Sequence, residues 1–273
     1  MIRNRVRNGQ LRSADNMDLI NFKESELPVK DLETLGLSAG GQLLLNVNDL
    51  KALLSGRRTD MLHLENLETE SIKIKAIDAK ISLHRNEQGK ADLLIHPIYR
   101  KPATPDFLDD NEAAKLEKGE LANLLKVTTD KKGNKKEILV EYDPETREFI
   151  VSDTDKILAP DMINSEFLTP AQKDAYRKGK EVKLADGTSL NYSGTDTNGI
   201  RSNRLALIAS ILVDGGLSYM VYKGLNAAFG QKHDLKESTK LSPGYHNAMK
   251  ALEDERPAAD NAHIRFERSR HTR

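Results

Sequence analysis

The spacing of apolar residues divides the chain into stretches of different period. In residues 17–58 the spacing is helical: Leu32 and Leu35 share one face of a helix that Pro28 opens and Gly36 stops. Gly40-Gly41 makes a turn, and Asn48 is placed as the N-cap of a second helix that carries Leu50, Leu53 and Leu54 and ends at Gly56. Two short helices with so narrow an apolar stripe do not stand alone, so they are expected to dock on the segment that follows. There the period falls to two. In Ile72-Lys73-Ile74-Lys75 and Ile81-Ser82-Leu83-His84 one face is oily and the other wet, and Asn86-Glu87-Gln88-Gly89 has the chemistry of a hairpin turn. The pattern predicts a three- or four-stranded antiparallel sheet over 61–99, one face covered by the helices of 28–55. Residues 17–99 form this first module. Residues 100–106, with two prolines and no apolar period, mark its boundary.

The most specific signal is an internal repeat. Residues 105–120 (PDFLDDNEAAKLEKGE) align without gaps on 165–180 (SEFLTPAQKDAYRKGK), 60 positions further on. Phe107 matches Phe167, Leu108 matches Leu168, Lys118 matches Lys178 and Gly119 matches Gly179. Each copy reads as a Phe-Leu anchor, one short helix, a glycine stop and then a β-hairpin, turned at Lys-Lys-Gly-Asn in the first and Ala-Asp-Gly-Thr in the second. Units over 105–153 and 165–193 are expected to pack side by side, because one copy cannot bury its own apolar face. Residues 194–203 read as a loop.

Residues 204–229 are the most apolar stretch. Leu205–Val213 is an uncharged run of nine residues, after which Asp214, Gly215 and Gly216 interrupt it. A membrane-spanning helix needs roughly 20 apolar residues, and a charge at mid-bilayer costs about 2.5–3.5 kcal/mol. The favoured reading is therefore a helical hairpin broken at Asp214-Gly215-Gly216, packed on the repeats or on a partner protein, with a membrane hairpin as the alternative. Residues 231–273 are polar and read as a mostly disordered tail, with one short helix within LSPGYHNAMKALEDE. The fold class is α+β.

Composition changes this outline in two ways. Lysine plus arginine and aspartate plus glutamate both total 42, a formal net charge of zero, which disfavours a chain that coats nucleic acid along its whole length. The neutrality is a sum of unlike parts. Arg3, Arg5, Arg7 and Arg12 lie in a basic, disordered arm over 1–16, and Arg265, Arg268, Arg270 and Arg273 lie near the other end against Glu267 alone. Residues 13–262 are left with 34 basic and 41 acidic residues, a net of −7. The eight arginines are the candidate nucleic-acid contacts, since basic arms reach phosphate backbones. The absence of cysteine excludes disulfide scaffolds, thiol catalysis and cysteine-based metal sites. It fits a reducing cytoplasm, and the first residues carry no secretory h-region.

Catalytic chemistry has little footing. The Gly-x-x-x-x-Gly-Lys phosphate loop, the dinucleotide fingerprint, the Gly-x-Ser-x-Gly elbow and His-Glu-x-x-His are all missing. His63, His84 and His96 all fall in strands, where the wet face of a sheet accounts for them better than a metal does. Asp109-Asp110 sits where a helix begins and complements its dipole. Arg57-Arg58, following Gly56, is read as neutralising the C-terminal end of the helix before it, with anion binding as the alternative. No catalytic residue, metal site or cofactor is implied.

The chain resembles a family of uncharacterised proteins encoded on conjugative elements and related mobile DNA of anaerobic gut bacteria. The resemblance is carried by Leu27-Pro28, Leu32, Leu35-Gly36-Leu37, Leu50, Leu53-Leu54-Ser55-Gly56-Arg57, Arg100-Lys101-Pro102 and the two Phe-Leu…Lys-Gly units. Such proteins have a front domain of unknown function followed by one or more copies of a second. Their genes tend to lie near mobilisation and topoisomerase genes, which implies a role in DNA transfer or its regulation. The expectation is a non-enzymatic, cytoplasmic accessory protein that docks a protein partner through its repeats and touches DNA with its basic ends. The alternatives are an adaptor held at a membrane through 204–229, and a hydrolase or nuclease with an unrecognised carboxylate site.

Overall fold

The computed structural model describes residues 22–68, 73–129, 133–213, 216–223 and 241–250. The fold is α+β, with short helices and several small antiparallel sheets. The front module begins with α1 (Val29–Thr34), a minimal hairpin of β1 (Ser38–Ala39) and β2 (Gln42–Leu43), and α2 (Val47–Leu54). A sheet of β3 (Leu62–Glu68), β4 (Lys73–Arg85) and β5 (Ala91–Pro97) follows, in that order. Pro28 and Gly36 bound α1 as the sequence predicts. The N-cap of α2 is Asn46, not Asn48: the Asn46 side chain accepts from the Asp49 N–H at 2.9 Å, while Asn48 is exposed. Leu32, Leu53, Leu64, Ala79 and Ile81 make a dry core between helices and sheet. The wet face of β4 is not wet along its whole length, since Lys80 and Ser82 are buried beneath the next module.

That module consists of α3 (Asp110–Glu117) and a meander of β6 (Leu124–Thr129), β7 (Lys135–Asp143) and β8 (Glu148–Asp153). The second repeat has α4 (Pro170–Arg177) and a meander of β11 (Val182–Lys183), β12 (Ser189–Tyr192) and β13 (Ile200–Ser202). The two helices stand at the same 60-residue offset as the sequence match, and even their capping boxes correspond: Asp109 with Glu112, Thr169 with Gln172. Each closes with a Schellman pair, Glu120 N–H to Lys115 O and Lys180 N–H to Ala175 O, both 2.9 Å. Each unit is thus a helix plus three strands rather than a helix plus hairpin. The third strand of the second copy, 200–202, falls in the stretch read as loop, because three residues are too few to show a period.

The Phe-Leu anchors divide. Leu108 and Leu168 are buried, whereas Phe107 and Phe167 are 37% and 62% exposed. In the second copy Phe167 ends β10, where adjacent side chains point to opposite sides; in the first copy the pair sits in a turn closed by Leu108 N–H to Pro105 O at 3.0 Å, with the same division.

The described residues of this stretch, 204–213 and 216–223, do not form a helical hairpin. β14 (Ala206–Val213) pairs antiparallel with β15 (Gly216–Lys223) from Ala206↔Lys223 to Val213↔Gly216. A short hairpin of β9 (Met162–Ile163) and β10 (Glu166–Phe167) completes the sheet in the order β10-β9-β14-β15. The physical reason is visible in the residues. A run of nine apolar residues fits a strand buried on both faces as well as a helix, and consecutive Ala206 to Ser210 are all buried here. Asp-Gly between the paired Val213 and Gly216 is hairpin-turn composition. Asp214 and Gly215 themselves lie outside the described residues, and Gly216 opens β15. Among the described residues no helix is long and apolar enough to cross a membrane.

A helical stretch over 243–250 (α5) docks on this body. Ser242, wholly buried, caps it by accepting from the Tyr245 N–H at 3.1 Å and also accepts from Asn164 at 3.0 Å.

Candidate functional site

The front module, the first repeat and the second repeat meet at a junction built from charged and hydroxyl side chains. From β4, the Lys80 ammonium reaches Asp143 at 2.9 Å and Glu145 at 2.7 Å. From the end of α2, Arg58 bonds Glu148 at 2.7 Å and Thr146 at 3.0 Å. On β5, His96 lies 2.8 Å from the Ser82 hydroxyl and 3.3 Å from Glu148. Burial, followed by the positive field of Arg58, holds the His96 pKa below its ordinary value despite Glu148. The imidazole is therefore neutral at pH 7.

The loop between β12 and β13 closes the junction from the other side. Arg57 Nε donates to Thr197 O at 3.2 Å, Thr197 Oγ1 donates to Asp60, and Tyr176 OH donates to Gly199 O at 2.7 Å. Glu141 of β7 is 1% exposed and accepts from the Gly194 N–H and from Ser193 Oγ, with Arg201 3.8 Å away. Burial pushes its carboxyl up to about 7, against the pull of those donors, and Asp143 adds to the rise. Asp196 is raised by burial as well, with Arg57 and Arg201 opposing.

A cleft of about 350 Å³ opens at this junction, lined by the end of α2, by Ser82 and His96, by β8 with the turn after it, and by Tyr192 and Gly194. Tyr192 OH stands 3.5 Å from Ser152 Oγ, and burial raises its pKa.

Arg57 and Arg58 do not turn back onto the C-terminal end of α2. They cross to the repeats, because the Schellman turn bonds the Arg57 N–H to Ala52 O and aims both side chains away from the helix. The three histidines stay apart: His63 pairs with Asp78 at 2.7 Å, His84 is exposed, and His96 faces the cleft. Among the described residues no three His, Asp or Glu side chains group as a metal site. The eight terminal arginines lie outside the described residues. Sequence reasoning missed Lys80, Glu141, Asp143 and the Ser193–Gly199 loop. One signal was present: Ile138-Leu139-Val140 is a continuous apolar run, which marks a strand buried on both faces, so the acids at its end were due to be buried with it.

Residues 22–106 match the family model described as "Protein of unknown function (DUF4099)". The match covers the front module and ends with the proline-containing boundary. No curated protein and no solved structure matches the chain.

Proposed function

We propose that the protein is a non-enzymatic adaptor of a mobile genetic element, which docks a protein partner through its two helix–meander repeats and contacts DNA with its arginine-rich ends. The observation behind it is the pair Phe107 and Phe167, solvent-exposed at the equivalent step of each repeat while the neighbouring leucines are buried. Aromatic side chains left in water on a rigid surface are what protein interfaces most often use as anchors. The buried ion pairs support the rigidity, since they tie both repeats and the front module into one platform. The mobile-element setting and a cytoplasmic location rest on the resemblance of the leucine-rich front module and the Phe-Leu…Lys-Gly units. DNA contact rests on the charge arithmetic, a body near −7 with eight arginines at its ends.

Two measurements test this. Anisotropy of a labelled duplex should show binding that weakens steeply with salt and disappears when residues 1–12 and 263–273 are deleted; no binding at low salt removes the DNA half. A photo-crosslinker at position 167 in the native host should trap a discrete partner that F107A/F167A fails to co-purify, at unchanged melting temperature. Equal recovery by that variant removes the docking half.

A further inference from the structure

Beyond docking, we propose that the cleft at the three-module junction binds a small phosphate-bearing molecule, its anion held between Arg57 and Lys156 and its organic part lying along the edge of β8. The volume, about 350 Å³, is at the small end of the roughly 300–1,000 Å³ typical of ligand sites, so the ligand is a small molecule rather than a folded partner.

The charge of the lining favours an anion. Four ionised side chains face it: Arg57, Arg58, Lys156 and Asp153. Arg58 is satisfied by Glu148 at 2.7 Å, and Asp153 by Lys136 at 2.6 Å. Two cations remain. Arg57 commits its Nε to Thr197 O, and its Nη atoms make no hydrogen bond among the described residues. The Asp196 carboxyl also feels the Arg57 charge. Lys156 is exposed and makes no ion pair among the described residues. A guanidinium and an ammonium lining one cleft are the usual clamp for a phosphate.

The wall supplies neutral donors. Five consecutive residues, Phe149 to Asp153, line the cleft. Successive side chains of a strand point to opposite faces, so it is the edge of β8 that forms the wall. β8 is the outer strand of β6-β7-β8, and alternate backbone N–H groups along its outer edge point away from β7. The Ser152 and Tyr192 hydroxyls, 3.5 Å apart, share one hydrogen bond and leave one proton to donate to a ligand, and Ile150, on the same face of β8 as Ser152, gives the organic part an apolar surface.

Titration calorimetry of the full chain with inorganic phosphate and with phenyl phosphate tests this. Saturable one-to-one binding is expected, tighter for phenyl phosphate. K156A, at an exposed position without an ion pair among the described residues, should weaken it roughly tenfold, as loss of one charge-assisted hydrogen bond does, at unchanged melting temperature, and R57A should weaken it at least as much. Deleting residues 1–12 and 263–273 should leave it unchanged. No saturable heat with either probe up to about 10 mM, binding untouched by K156A, or binding lost with the terminal arginines each overturns the proposal.

Discussion

Lys80 and Asp143 are 63 residues apart in sequence and 2.9 Å apart in space, with side chains 3% and 1% exposed. The pair is the buried rivet between the front sheet and the first repeat. Removing one partner of a buried pair leaves an uncompensated charge, a loss of about 3–5 kcal/mol, whereas replacing both with apolar residues is often neutral. K80M and D143L are each expected to destabilise by that order in urea unfolding, and K80M/D143L to recover much of it. A double variant no better than the worse single one would mean that the pair is incidental.

The two residues of the repeated Phe-Leu step differ in role. L168A should cost about 2–5 kcal/mol, the usual loss for a buried leucine, and F167A less than about 0.5 kcal/mol, as at an exposed position. Equal losses in thermal unfolding would return Phe167 to the core.

Gly119 and Gly179 hold the same left-handed turn, φ +69° and +66°. A Cβ on Gly119 meets open space, whereas one on Gly179 comes within 2.7 Å of Asn123 Nδ2 and 2.8 Å of Leu139 Cδ1. G119A should therefore cost only the backbone strain of about 1–2 kcal/mol, and G179A clearly more. Hydrogen exchange in G179A should rise around Asn123, whose amide donates to Gly179 O at 2.9 Å.

Glu141 sets a pH dependence. Its carboxyl is raised from the ordinary 4.5 to about 7 by burial, so the folded state holds a proton that the unfolded chain gives up. That contribution is complete below about 4.5 and is lost as pH rises to about 7. Neutral glutamine keeps the geometry without the charge, so E141Q should gain on the wild type across this window, by on the order of 3 kcal/mol, and not above it. Melting temperatures that run parallel from pH 4.5 to 8 would contradict the assignment.

α5 is held at a close approach. A Cβ on Gly244 would stand 2.6 Å from Asp186 Oδ2. G244A should loosen the helix from the body while leaving the main unfolding transition in place. Faster protease cleavage near 245–250 is the expected readout.

The local elements were largely legible in the sequence because their causes are local. Pro28 and Gly36 bound α1, the alternation of 61–97 gives the front sheet, and the match of Phe107–Gly119 with Phe167–Gly179 gives two equivalent helices with equivalent caps. Errors arose where a pattern had two solutions. Leu205–Val213 suits a buried strand or a helix, and the sheet partners β9 and β15 decided for the strand. The cleft was not legible, because Arg57, His96, Ser152 and Tyr192 come from separate elements and share no spacing.

The sequence alone therefore determined the helices of the front module and repeats, the front sheet and the contrast between a mildly acidic body and arginine-rich ends, all of which depend on residues a few positions apart or on composition. Only the tertiary structure decided what the buried polar residues meet. Lys80 sits on what reads as ordinary strand sequence, Glu141 follows an apolar run that marks burial but names no partner, and it is the packing of one module on another that gives both of them partners dozens of residues away.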